Sequence, residues 1–110
     1  MKSMNRFIGS VMVVVGLILL APPSCGSMTP HENFKAHMAS NVGSLIDNPR
    51  EPGVALDKYL LGSRILPNGN IENEYQDRGS CHYFFEFDPK TRIIIGWRFE
   101  GSERDCAVVP

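Results

Sequence analysis

Ser80-Cys81-His82-Tyr83-Phe84-Phe85-Glu86-Phe87-Asp88-Pro89-Lys90-Thr91-Arg92-Ile93-Ile94-Ile95-Gly96-Trp97-Arg98-Phe99-Glu100 is the stretch that decides the fold. In an extended chain successive side chains point to opposite faces. From Ser80 to Phe87, Cys81, Tyr83, Phe85 and Phe87 share one face, and His82, Phe84 and Glu86 share the other. Asp88-Pro89-Lys90-Thr91 suits a type I turn, with Asp first and Pro second. From Arg92 to Glu100, Ile93, Ile95, Trp97 and Phe99 alternate with Ile94, Gly96, Arg98 and Glu100. The pattern predicts an antiparallel hairpin with one aromatic face to bury.

Working back from this hairpin, Ser63 to Leu66 and Asn70 to Asp77 flank Pro67-Asn68-Gly69, a second hairpin signal. Ile71 and Tyr75 share a face with Asn73 between them, so this strand is half buried. Asn48-Pro49-Arg50-Glu51-Pro52-Gly53 reads as a loop from its prolines and glycine. Earlier still, Thr29-Pro30-His31-Glu32 has the form of a helix start. Thr29 is the N-cap, Pro30 the first helical residue and Glu32 the reciprocal half of a capping box. Phe34, Met38, Val42 and Leu45 recur at helical spacing. Gly43 ends or kinks the helix, and a second short helix is expected from Ser44, burying Leu45 and Ile46. The fold expected is α+β: one or two N-terminal helices on a three- to four-stranded antiparallel sheet.

The chain begins differently. Lys2 and Arg6 precede an uncharged run from Phe7 to Ala21, followed by Pro22-Pro23-Ser24-Cys25. This is the layout of an export signal. The run of 15 residues is short against the roughly 20 that span a bilayer. An uncleaved anchor is the alternative. The expected division is a signal over residues 1–24, a tether over 25–28 and one small domain over 29–110. Leu19-Leu20-Ala21-Pro22-Pro23-Ser24-Cys25-Gly26-Ser27 resembles the end of a bacterial lipoprotein signal, with Cys25 as the lipidated first residue. Pro22 stands where such signals usually carry Leu. A cut by ordinary signal peptidase after Gly26 or Ser27 is the other route.

Export places the cysteines in a disulfide-permissive compartment. There are three: Cys25, Cys81 and Cys106. Lipidation of Cys25 leaves Cys81 and Cys106 as a pair, both at the open end of the C-terminal hairpin. A bridge there contributes about 3 kcal/mol in the chain-entropy account, useful where one small core supplies little. Two free buried thiols are the alternative. A metal reading is weaker, because His82 beside Cys81 is a poor chelating pair and no C-x-x-C occurs.

Charge directs the chain to no obvious partner. Without Lys2 and Arg6, 9 basic residues face 12 acidic ones, a net of −3. No basic patch points to nucleic acid. His31 and His37 are six apart and share no ligand-spaced helix face. The carboxylates of Glu86, Asp88, Glu100, Glu103 and Asp105 have Lys90, Arg92, Arg98 and Arg104 as exposed partners. No G-x-S-x-G surrounds Ser44 or Ser80. No catalytic residue, cofactor, metal or small-molecule substrate is expected, and the chain reads as non-enzymatic. One surface feature remains. Phe84 and Ile94, with Arg98 and His82, are expected to form an outward apolar patch suited to a protein contact. The alternative for Phe84 is packing under the 55–61 segment.

Leu66-Pro67-Asn68-Gly69-Asn70, Glu74-Tyr75, Cys81, Phe84 to Asp88, Ile95 to Gly101 and Cys106 together resemble a group of small proteobacterial lipoproteins. The chain is also similar, more distantly, to the SmpA/OmlA lipoproteins of the outer-membrane β-barrel assembly machinery. The resemblance covers roughly residues 40 to 106. It implies an outer-membrane lipoprotein facing the periplasm, and most members of the closer group have no assigned activity. Gly26 rather than Asp after Cys25 is compatible with outer-membrane sorting. The Cys81/Cys106 pair departs from the assembly-machinery family. The expected function is therefore a membrane-tethered periplasmic module that binds an envelope protein. The alternative is a soluble, secreted or periplasmic inhibitor-type domain.

Overall fold

Residues 28–77 and 79–109 are described by a computed structural model. The expected export signal and Cys25 lie outside the described residues. Helix α1 spans Pro30–Ser40. Four strands follow: β1 (Leu60–Ile65), β2 (Ile71–Gln76), β3 (His82–Phe87) and β4 (Ile94–Glu100). Short 3-10 turns at Pro52–Val54 and Asp57–Tyr59 connect helix to sheet. The strands pair antiparallel in the order β1-β2-β3-β4. The architecture is the expected α+β one, with a single α-helix among the described residues.

The helix starts where its capping residues dictate. Thr29 Oγ1 accepts from the Glu32 N–H at 3.1 Å, and Glu32 Oε1 accepts from the Thr29 N–H at 3.0 Å. Two of the helix's otherwise unpaired N–H groups are thereby satisfied. The buried face then carries His31, Phe34 and Met38. Phe34 meets Tyr83 and Phe99 edge-on, at centroid distances of 5.7 and 5.8 Å. The core is aromatic and lies between α1 and the inner faces of β2, β3 and β4. Phe85, Met38 and Ile94 are fully buried in it. Each such side chain contributes about 1.5–3 kcal/mol of burial free energy.

The helix stops earlier than its stripe suggested. Asn41 is the C-cap, and Val42 and Leu45 are exposed. No second helix forms at Ser44. Gly43 takes a φ of +95°, available without cost only to glycine, and redirects the chain alongside the start of β4. The Gly43 N–H donates to the Ile94 carbonyl at 2.8 Å, the Ile94 N–H to Ser44 at 2.9 Å, and the Ile46 N–H to Arg92 at 2.8 Å. Backbone pairing with the sheet therefore replaces helical turns. Ile46 is partly buried, whereas Leu45 pairs with Ile93 on the surface.

The first hairpin turns as its Pro-Asn-Gly predicts. The Gly69 N–H donates to the Leu66 carbonyl and the Leu66 N–H to the Asn70 carbonyl, both at 2.8 Å. Gly69 sits at φ +90°, the left-handed residue of a three-residue hairpin loop. β1 begins at Leu60, three residues ahead of the expected start. The Asp88 turn is also longer than a four-residue type I turn. Its left-handed residue is Arg92, at φ +68°, held by a two-pronged bond to Asp47 at 2.8 and 2.9 Å.

Cys81 and Cys106 form a disulfide with Cα atoms 5.0 Å apart. It closes the open end of the β3–β4 hairpin, as expected. Asp105 reinforces it by accepting from both the backbone N–H and the hydroxyl of Ser80, each at 2.9 Å. The Ser80 N–H, then its hydroxyl, hold the Asp105 carboxyl below its ordinary range.

Candidate functional site

The outward face of the sheet is built around a carboxylate. Register places Glu72 (β2) opposite Arg64 (β1) and Glu86 (β3), and Phe84 (β3) opposite Arg98 (β4). Glu72 accepts from Arg98 at 3.0 and 3.1 Å and from Arg64 at 3.0 Å, with its side chain only 7% exposed. Burial pushes its carboxyl up, but hydrogen bonds from Arg98 and then Arg64 outweigh this and hold it below the ordinary range. Arg98 also bonds Glu100 at 2.6 Å. Its guanidinium lies 3.7 Å from the centroid of the Phe84 ring, a cation–π geometry.

This arrangement corrects the expected docking patch. Phe84 and Arg98 are neighbours on the outward face, but Phe84 is sealed beneath the guanidinium and only 6% exposed. Ile94 is not on this face. A β-bulge shifts the register between Glu86 and Phe87, so Phe87 pairs with Ile94 while Glu86 pairs with Gly96. Ile95 becomes the extra residue. Ile94 turns into the core at 0% exposure, and Ile95 is left 48% exposed. Alternation alone assigns the reverse, because a one-residue slip exchanges faces.

The remaining titratable groups are dispersed. His82 Nδ1 lies 2.7 Å from Glu74 on the outward face. His37 is 3.9 Å from Glu51. His31 is buried, with Nδ1 2.7 Å from the Cys106 carbonyl, and so ties the helix to the disulfide segment. Among the described residues no group of three His, Cys, Asp or Glu side chains could hold a metal. No helix among them is long and apolar enough to cross a membrane.

Sequence reasoning missed Asn41. Its side chain is fully buried, accepts from the Glu51 N–H at 2.6 Å and donates to the Glu51 carbonyl at 3.2 Å. It thus ends the helix and fastens the proline loop. An Asn two residues ahead of a Gly at a helix end was the available signal.

The β1 edge of the sheet is open among the described residues. All six residues of β1 are exposed, including Leu61 at 55% and Ile65 at 77%. Beside its inner face runs a groove of about 320 Å³, lined by Leu60, Ser63, Asn73, Tyr75, Asp57 and Asp47. Its floor is polar but satisfied: Ser63 donates to Asn73 at 2.5 Å, and Asn73 donates to the Tyr75 hydroxyl at 3.2 Å. Burial pushes the Tyr75 hydroxyl up in pKa, against the lowering effect of its hydrogen bond with Asn73.

Comparison with protein-family models, with curated proteins and with solved structures found no match.

Proposed function

We propose that the chain is an exported, non-enzymatic protein-interaction module, tethered by lipid on Cys25 to the periplasmic face of the bacterial outer membrane. The observation that carries the export reading is the Cys81–Cys106 disulfide. Such bonds persist in oxidising compartments and stabilise small exported domains. It agrees with the charged start and short apolar run of the sequence, and with the resemblance to small proteobacterial lipoproteins. The interaction reading rests on β1, because an open sheet edge invites strand pairing. The partner is an envelope protein rather than nucleic acid or a small molecule. Pro22 and Pro23 favour a second reading, a soluble exported inhibitor-type domain released by ordinary signal peptidase.

Intact mass of the protein from its native envelope, before and after reduction and alkylation, separates these. The tethered reading predicts Cys25–Pro110 plus a diacylglyceryl and an acyl group, with two thiols appearing only on reduction. An unlipidated mass starting near Ser27 contradicts it, as does a mass that retains Met1.

A further inference from the structure

The backbone of β1 has a definite polarity. Leu66 bonds its N–H to Asn70, so this pair faces inward across the hairpin. Inward and outward residues alternate along an antiparallel ladder. Arg64, opposite Glu72, and Gly62, opposite Glu74, therefore turn their N–H and C=O groups toward β2. Ser63 and Ile65 turn theirs away from the sheet. Edge strands are usually protected by proline, free charge, a bulge or cover, and the bulge of β1 lies before Gly62, clear of Ser63 and Ile65. β1 has no proline, and its single charge, Arg64, is engaged by Glu72 on the outward face. The other edge differs, since residues 43–46 already bond the start of β4.

Resting on the interaction-module reading, we propose that β1 accepts an extended segment of a partner protein as a fifth, antiparallel strand. The segment's inward side chains are β-branched apolar residues beside Ser63 and Ile65, followed by a lysine or arginine against Asp57. The apolar positions cover Ile65 and continue the Leu60 wall of the groove. The cation follows from charge. Asp47 on the same groove is neutralised by Arg92, whereas Asp57 has no ion pair among the described residues. A second copy of this chain fits less well. Its own β1 presents Leu60, Ser63 and Ile65 on that face and offers no cation to Asp57.

The test uses the mature chain and the synthetic peptide acetyl-Thr-Val-Thr-Val-Thr-Lys-Thr-amide, followed by NMR and amide hydrogen exchange. The expected result is saturable binding that slows exchange of the Ser63 and Ile65 amides about tenfold or more. Replacing the peptide lysine by glutamate should weaken binding about fivefold. Methylating the backbone nitrogen of both valines should abolish it. Ser63→Pro removes an outward N–H without breaking a ladder bond and should abolish binding while the β3 amides stay protected. Absence of saturable binding overturns the proposal, as does equal binding of the N-methylated peptide. Concentration-dependent protection of Ser63 and Ile65 in the free protein also overturns it and identifies a second copy as the occupant. If the edge fails but photocrosslinking from another face still captures an envelope protein, the interaction reading stands without this edge. If no face gives an adduct, that reading fails too.

Discussion

The two hairpins of the sheet are built to the same plan and carry opposite burdens. β3–β4 is closed by a disulfide, covered by α1 and filled with Tyr83, Phe85, Phe87 and Ile94, all buried. β1–β2 has no covalent staple and ends in a strand exposed at every position. The difference teaches where stability and availability separate. Cohesion is concentrated in the C-terminal hairpin, while β1 lacks a strand partner on its outer side among the described residues. Open edges usually carry an aggregation hazard. Here the bulge between Leu60 and Gly62 shortens the flat part of that edge.

Changes to the C-terminal hairpin should produce the largest effects. Phe85→Ala leaves a cavity in the fully buried core and should cost about 3–5 kcal/mol, read as a fall in the urea midpoint. Replacing Cys81 and Cys106 together by serine should cost about 3 kcal/mol, and thermal unfolding of the wild type after reduction should show a comparable loss. Equal losses from matching substitutions in β1 would erase the comparison.

The outward face joins the two hairpins through Glu72, and its effect should be smaller and pH-dependent. Glu72→Gln should cost about 1–2 kcal/mol at neutral pH, since its arginine partners are partly exposed. Because the native carboxyl lies below its ordinary value of 4.5, the unfolded chain binds the proton first as pH falls. Glu72's contribution is therefore complete above that value and is lost as pH drops through the lowered native one. Denaturant titrations at pH 7 and pH 3 should differ more for wild type than for the variant. An identical pH dependence would remove Glu72 from the account. The smallest effect belongs to the open edge: Leu61→Ser should change stability by no more than about 0.5 kcal/mol.

Legibility in the sequence follows the same division. The capping box at Thr29 and Glu32, the Asn68-Gly69 turn and the alternation over Tyr83–Phe87 are local, and the structure follows them. The disulfide was legible once export was inferred, because the hairpin brings its two ends together. The docking patch failed for a non-local reason. Whether Ile94 faces the core depends on the extra residue Ile95 opposite Glu86 and Phe87, and its one local sign is the neighbouring Gly96, a glycine inside a strand, which strict alternation passes over. The second helix failed because Ser44 to Ile46 found backbone partners some fifty residues away, at Arg92 to Ile94. The open edge was equally invisible. Exposure of β1 depends on where the helix sits, not on the composition of Leu60–Ile65.

Native-state amide exchange along both hairpins, with the disulfide intact and then reduced, tests the central asymmetry most directly. β3 amides should exchange only through global unfolding and accelerate sharply on reduction, whereas the Ser63 and Ile65 amides exchange fast in both states and Arg64 is protected. Protection of Ser63 and Ile65 equal to that of β3, or a β3 rate indifferent to reduction, would contradict it.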